Sequence, residues 1–159
     1  MWGTLDDRER EAREALLSLI AAGRVVDAES LGQALGCSPA ASSQLLDALA
    51  AKGFVVRDGA HGGIAAAYPL STRPTRHRVT LADGRTAYAL CAVDALGVSP
   101  LLRASAAIET RCPHCEQPIG LEVHEGEVRR REPPTAVLWY SMADLLEKRV
   151  EGLNLSAEH

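Results

Sequence analysis

Aromatic side chains are scarce in this 159-residue chain, which holds one Phe, two Trp and three Tyr. Its core must therefore be built mostly from Ala, Leu and Val. No apolar run approaches the roughly 20 residues needed to span a bilayer. The opening Met1-Trp2-Gly3-Thr4-Leu5-Asp6-Asp7-Arg8 has neither the basic n-region nor the apolar h-region of a signal peptide, so a cytoplasmic location is the expectation. Charge of one sign is also missing. The formal net of −4 argues against both a polyanion-binding surface and an acidic tail. No internal repeat or low-complexity segment stands out. Cysteine is limited to Cys37, Cys91, Cys112 and Cys115. In a reducing compartment these are expected to be thiols or metal ligands rather than disulfides.

What is present begins with helices. Residues 8–22 place Ala12, Ala15, Leu16, Leu19 and Ile20 at helical spacing, and Gly23 follows as a stop. Asp27 is positioned to cap a second helix over 28–35, which Gly36 closes. Ser38-Pro39 puts a cap and a first-turn proline ahead of a third helix over 39–52, ended by Gly53. Its apolar face is Ala41, Leu45, Leu46, Leu49 and Ala50. Phe54-Val55-Val56-Arg57 predicts a strand, Asp58-Gly59 a turn, and 62–70 the returning strand. Three helices and a hairpin form the winged-helix pattern.

The polar, proline-containing stretch 71–76 marks a boundary. Beyond it the pattern predicts a strand at 77–81, a turn at 82–85 and a helix over 86–97. Strands at 104–110 and 118–124 flank a Cys-Pro-His-Cys turn, a basic stretch covers 128–134, a strand covers 137–140 and a short helix 142–151. The expected class is α+β, with a winged-helix-like domain at 1–70 and a small mixed or antiparallel sheet domain with short helices at 77–159. Trp139-Tyr140 is read as core, and Arg129-Arg130-Arg131 as a solvated face.

A winged helix raises the question of DNA. Residues 1–70 carry six Lys and Arg against nine Asp and Glu, a net of −3. The third helix offers only Lys52, at its far end, beside polar Ser42, Ser43, Gln44 and Asp47. DNA binders neutralise several phosphates, so a packing scaffold is favoured, although Gln44 has the chemistry to read an adenine edge.

The segment Tyr88-Ala89-Leu90-Cys91-Ala92-Val93-Asp94-Ala95-Leu96 is the most informative. On a helix, Cys91 and Asp94 at i and i+3 share a face, where a carboxylate can move a proton to or from whatever the sulfur holds. The competing reading is a buried, inert cysteine beside a surface or capping aspartate. Cys112-Pro113-His114-Cys115 supplies two thiols, half of a tetrahedral zinc site. No second pair follows, and His114, His124 and Cys37 lie off typical finger spacing. A soft-metal thiol pair is the other reading. Cys37, between the second and third helices, is read as inert.

The pattern Tyr-Ala-x-Cys-Ala-x-Asp-x-Leu is similar to the segment of organomercurial (alkylmercury) lyases that holds a catalytic cysteine and the catalytic aspartate. The surroundings resemble that family too: a winged-helix-like half before it, the hairpin of His77-Arg78-Val79-Thr80-Leu81 with Tyr88, then Cys112, Ile119-Gly120-Leu121-Glu122-Val123 and Glu132-Pro133. The likeness runs over about residues 24–138. It implies a mercury-resistance enzyme without an organic cofactor, whose substrate is a small organomercurial and whose product ion leaves on external thiols. It gives Cys91 the thiolate role on the metal and Asp94 the proton-donor role. The family's second catalytic cysteine lies further along, whereas no cysteine follows Cys115 here. Cys112 or Cys115 is then the candidate second thiol, and Cys91, Asp94, Cys112 and Cys115 are the residues expected to touch metal. Zinc or copper at the Cys112/Cys115 turn, a non-catalytic metal-binding protein, a metal-sensing winged-helix regulator, and a relative recruited to other carbon–metal or carbon–heteroatom chemistry remain open alternatives.

Overall fold

The computed structural model describes residues 4–58 and 63–139. Three helices come first: α1 (Asp7–Ala21), α2 (Ala28–Leu35) and α3 (Pro39–Ala51). Each has a cap written into the sequence. Asp6 and Glu9 bond reciprocally to each other's backbone N–H at 2.8 Å. Asp27 and Ser30 do the same at 2.8 and 3.0 Å, and Ser38 caps α3 just ahead of Pro39. Gly36 adopts the left-handed conformation that closes α2. Leu16, Leu31, Leu46 and Leu49 are fully buried between the helices.

The polar side of α3 is not all free. Ser42 is buried, with its hydroxyl on the Ala28 carbonyl of α2. Lys52 is held by the Glu9 carboxylate at 2.5 Å and by the Thr4 carbonyl at 3.0 Å.

Eight antiparallel strands follow: β1 (Val55–Arg57), β2 (Ile64–Ala67), β3 (Leu70–Ser71), β4 (His77–Leu81), β5 (Thr86–Ala89), β6 (Ala106–Arg111), β7 (Pro118–His124) and β8 (Glu127–Glu132). They form one sheet in the order β1-β2-β3-β5-β4-β6-β7-β8. Helix α4 (Ala92–Leu102) packs on β4, β5, β6 and β7. One cluster of buried residues runs from Ala12 to Val123, and hydrogen-bonded pairing continues across the 71–76 stretch because β3 pairs with β5. Among the described residues no helix is long and apolar enough to cross a membrane.

Several expectations need correction. The helix placed at 86–97 is a strand followed by a helix. Ala87 and Ala89 alternate inward, and the Ala82–Arg85 turn returns β5 onto β4 with His77 opposite Ala89. Ladder hydrogen bonds thus claim 86–89, and helix begins only after Cys91. The returning strand at 62–70 breaks at Tyr68-Pro69, a cis peptide, and resumes as β3. The basic stretch is itself a strand, exposed throughout, with Arg129 paired to Glu127 and Arg130 to Glu122. Residues 137–139 form no strand, and Trp139, read as core, is 80% exposed. Tyr140 and the helix at 142–151 lie outside the described residues.

Candidate active site

The site forms where β5 runs into α4. Cys91 is the N-cap of α4, extended at φ −148°, and its Sγ accepts the Asp94 backbone N–H at 3.4 Å. Asp94 sits at the third helical position. The two side chains therefore do meet, through a capping geometry rather than as neighbours on one helix face. Asp94 is only 4% exposed, and its carboxylate accepts hydrogen bonds from the Cys91 thiol and the Tyr68 side chain.

Tyr68 comes from the turn between β2 and β3. That turn is held against the site from two sides: Arg13 of α1 donates to the Tyr68 carbonyl at 3.2 Å, and the Leu90 N–H donates to the Pro69 carbonyl at 3.1 Å. Sequence reasoning missed Tyr68. Twenty-six positions from Asp94, it carries no local spacing signal, and only the β3–β5 pairing delivers it.

Electrostatics at this junction are a contest. A helix N-terminus favours a thiolate and a carboxylate, while burial disfavours both. Burial wins. It is the main cause that pushes the Cys91 thiol up to about 11, reinforced by the Asp94 charge and the hydrogen bond to it. Burial likewise raises Asp94, against the lowering pull of Tyr68 and Cys91. At neutral pH Cys91 rests as a protonated thiol hydrogen-bonded to Asp94, so the thiolate role assigned to it must begin from a thiol.

Tyr68→Phe is expected to move the Asp94 carboxyl further up, because it deletes the largest of the lowering influences. Carboxyl titration by NMR, compared with the parent protein, measures this directly.

The other predicted residues fall elsewhere. Cys112 follows β6, and β5 and β6 are separated by β4. With strands about 4.8 Å apart, their backbones lie about 10 Å from each other. Cys91 and Cys112 thus leave the same end of the sheet, two strands apart. Cys112 and Cys115 do meet. The backbone N–H groups of Cys115 and His114, then the Cys115 thiol, point at Cys112 and lower its pKa. Cys115 is exposed, and Cys37 is half-buried in the α2–α3 turn. Among the described residues no three His, Cys, Asp or Glu side chains converge as a metal site. The four residues expected to touch metal therefore divide into Cys91–Asp94 and Cys112–Cys115. His77, buried between β5 and β6, bonds through Nδ1 to Thr110 Oγ1 at 2.8 Å.

A half-buried thiol on a buried carboxylate, capped into a helix and joined by a tyrosine, has the chemistry to exchange a proton and sits on a mixed helix-and-antiparallel-sheet scaffold. Comparison with known proteins narrows the class. The family model for MerB, alkylmercury lyase, matches residues 70–152. An alkylmercury lyase of Streptomyces lividans is 33% identical over 123 residues, covering 77% of this chain and 54% of that protein. One from Bacillus cereus is 39% identical over 69 residues, covering 43% and 31%. A crystal structure of the mercury-bound form of MerB2 superposes with a TM-score of 0.68 at 28% identity, covering 82% of this chain and 63% of that one. The chain belongs to the alkylmercury lyase family, and it spans about half the length of the Streptomyces relative.

Proposed function

We propose that this protein cleaves a carbon–mercury bond by protonolysis. The observation that carries the reading is the half-buried Cys91 thiol hydrogen-bonded to the buried Asp94 carboxyl group. An organomercurial cation approaching Cys91 forms a sulfur–mercury bond, and the thiol proton passes to Asp94, which already accepts its hydrogen bond. A second thiol, Cys112 or Cys115, adds to mercury, releases its proton and raises electron density on the carbon. Asp94 then delivers its proton to that carbon. The carbon–mercury bond breaks, its electron pair becomes the new C–H bond, and the hydrocarbon leaves. The proton of the second thiol goes to solvent, and mercury(II) stays on two sulfurs until thiol acceptors remove it. Soft sulfur is required because mercury prefers it to oxygen, and a placed acid is required because a free carbanion leaves very poorly. No organic cofactor takes part.

The helical half is read as a winged-helix-like scaffold rather than a DNA reader. The engagement of Lys52 by Glu9 and the burial of Ser42 support this, since both withdraw groups that a recognition helix needs. We place the activity in the cytoplasm, where small thiols can accept the product ion. The separation of Cys112–Cys115 from Cys91 favours one second reading, stoichiometric metal binding without turnover.

Reduced protein incubated with phenylmercury and excess thiol is expected to release benzene well above a Cys91→Ser variant. Tight mercury uptake with no benzene would remove the lyase reading and leave metal binding.

A further inference from the structure

The Cys112–Cys115 turn stands apart from the proton-transfer pair and has a chelate's geometry. The Cys112 N–H donates to the Gln117 carbonyl at 3.0 Å, and its carbonyl accepts the Glu116 N–H at 2.9 Å. Glu116 is left-handed at φ 56°, which reverses the chain between β6 and β7. Arg111 adds a bond to the Glu116 carbonyl at 3.1 Å. This closed turn brings the Cys115 thiol onto the Cys112 sulfur, where two backbone N–H groups also point. Both sulfurs are thus held together before any ion arrives, and the exposed Cys115 leaves one side open.

Ligand number decides what such a pair can hold. Zinc needs four donors, and no third His, Cys, Asp or Glu side chain joins this pair among the described residues. A soft ion that prefers thiolates and low coordination fits two sulfurs. We propose that the Cys112–Cys115 turn is a two-thiolate chelate for Hg(II), separate from Cys91, which takes the ion after the carbon–mercury bond has broken. The acceptor role rests on the lyase reading, whereas the binding site does not.

The transfer is a thiol exchange. With mercury held by Cys91 and Cys112, the Cys115 sulfur forms a new bond to mercury and the Cys91–mercury bond breaks. The Cys115 proton ends on the Cys91 sulfur, restoring the thiol that faces Asp94. One sulfur–metal bond forms, one breaks, and nothing is oxidised or reduced. Both partners leave the same end of the sheet, two strands apart. Chelation drives the direction, because the second sulfur is already at high effective concentration beside the first.

The test uses the full chain carrying Cys37→Ser and Cys91→Ser, titrated with mercuric chloride in millimolar 2-mercaptoethanol. Thiolate-to-mercury absorption and mercury retained after desalting are the readouts. One equivalent per chain is expected, with apparent affinity roughly tenfold or more above further variants lacking Cys112 or Cys115. Uptake no greater than in those single-thiol variants, with circular dichroism showing all of them folded, overturns the site. Benzene release from the parent protein is scored separately. Release without chelation removes this site and keeps the lyase reading, whereas chelation without release keeps the site and removes the acceptor role.

Discussion

Asp94→Asn is expected to lower benzene release from phenylmercury by about two to four orders of magnitude, the usual contribution of a positioned acid, while mercury uptake at Cys91 survives. Asparagine keeps the shape and can still accept from Tyr68 and Cys91, but it has no proton to give. The same change is expected to stabilise the fold. Burial holds the Asp94 carboxyl above its ordinary value of 3.8, so the fold prefers the neutral form. Stability from that preference is fully present below the ordinary value and is lost as pH rises through the raised one. Above that raised value the charged carboxylate is a net cost, which the neutral amide avoids. A gain of roughly 0.5–2 kcal/mol is in the range seen when a functional strain is relieved. Urea unfolding at pH 4 and pH 8, beside the turnover assay, separates the two effects. Unchanged turnover would sink the proton-donor role. A stability difference that does not grow with pH would show that burial is not the dominant influence on Asp94.

The second large effect lies at high pH. Cys91 titrates near 9.0 when solvated and at about 11 in the fold. Between those values the unfolded chain loses its proton first, so the folded protein holds more protons and stability falls as pH rises. Because the thiol is part-exposed and screened by solvent, the loss over the window from 9 to 11 is expected to be about 1–2 kcal/mol, less than the full shift would give. Lysines and tyrosines titrate in the same range, so the readout is the difference between the parent protein and Cys91→Ala. That difference is expected to shrink steadily from pH 9 to 11 and level off above. Parallel stability profiles for the two proteins would mean that Cys91 is solvated enough to ionise normally, and the thiol starting state would fall with it.

Both expectations come from one physical feature, the choice of burial over the helix N-terminus. An exposed cysteine at that N-cap would be a thiolate, reactive toward any soft electrophile. A half-buried one facing a carboxylate stays protonated, and in the proposed reaction it gives its proton to the group that later needs it. Tyr68 moderates the arrangement by stabilising the Asp94 charge, which in the proposed reaction lets the aspartate accept the proton as well as return it.

Much of this site was legible from local sequence, and the reason differs by residue. Asp27, Gly36 and Ser38-Pro39 act over one helical turn, so they set the bounds of α2 and the start of α3 without help from distant contacts. The proximity of Cys91 and Asp94 is also local. It survives even though the predicted helix over 86–97 is wrong, because an N-cap and the third helical residue are as close as two residues on one face. Segment 86–89 was misread because its small, mixed side chains fit either period, and a ladder partner in β4 settled the matter. Trp139 was misread because an aromatic residue signals core only where something packs on it.

The chain's own order of residues determined the caps, the turn at 82–85, the thiol–carboxylate pair and the family likeness, since each depends on neighbours a few positions apart, whereas the turn read at Asp58-Gly59 runs outside the described residues. Tertiary structure alone decided the rest. Pairing of β3 with β5 carries Tyr68 to Asp94, and packing of α4 on the sheet buries the pair enough to reverse the titration its helix end favours. The insertion of β4 between β5 and β6 sets Cys112 and Cys115 two strands from Cys91. These are consequences of strand order and burial, which no spacing along the chain encodes.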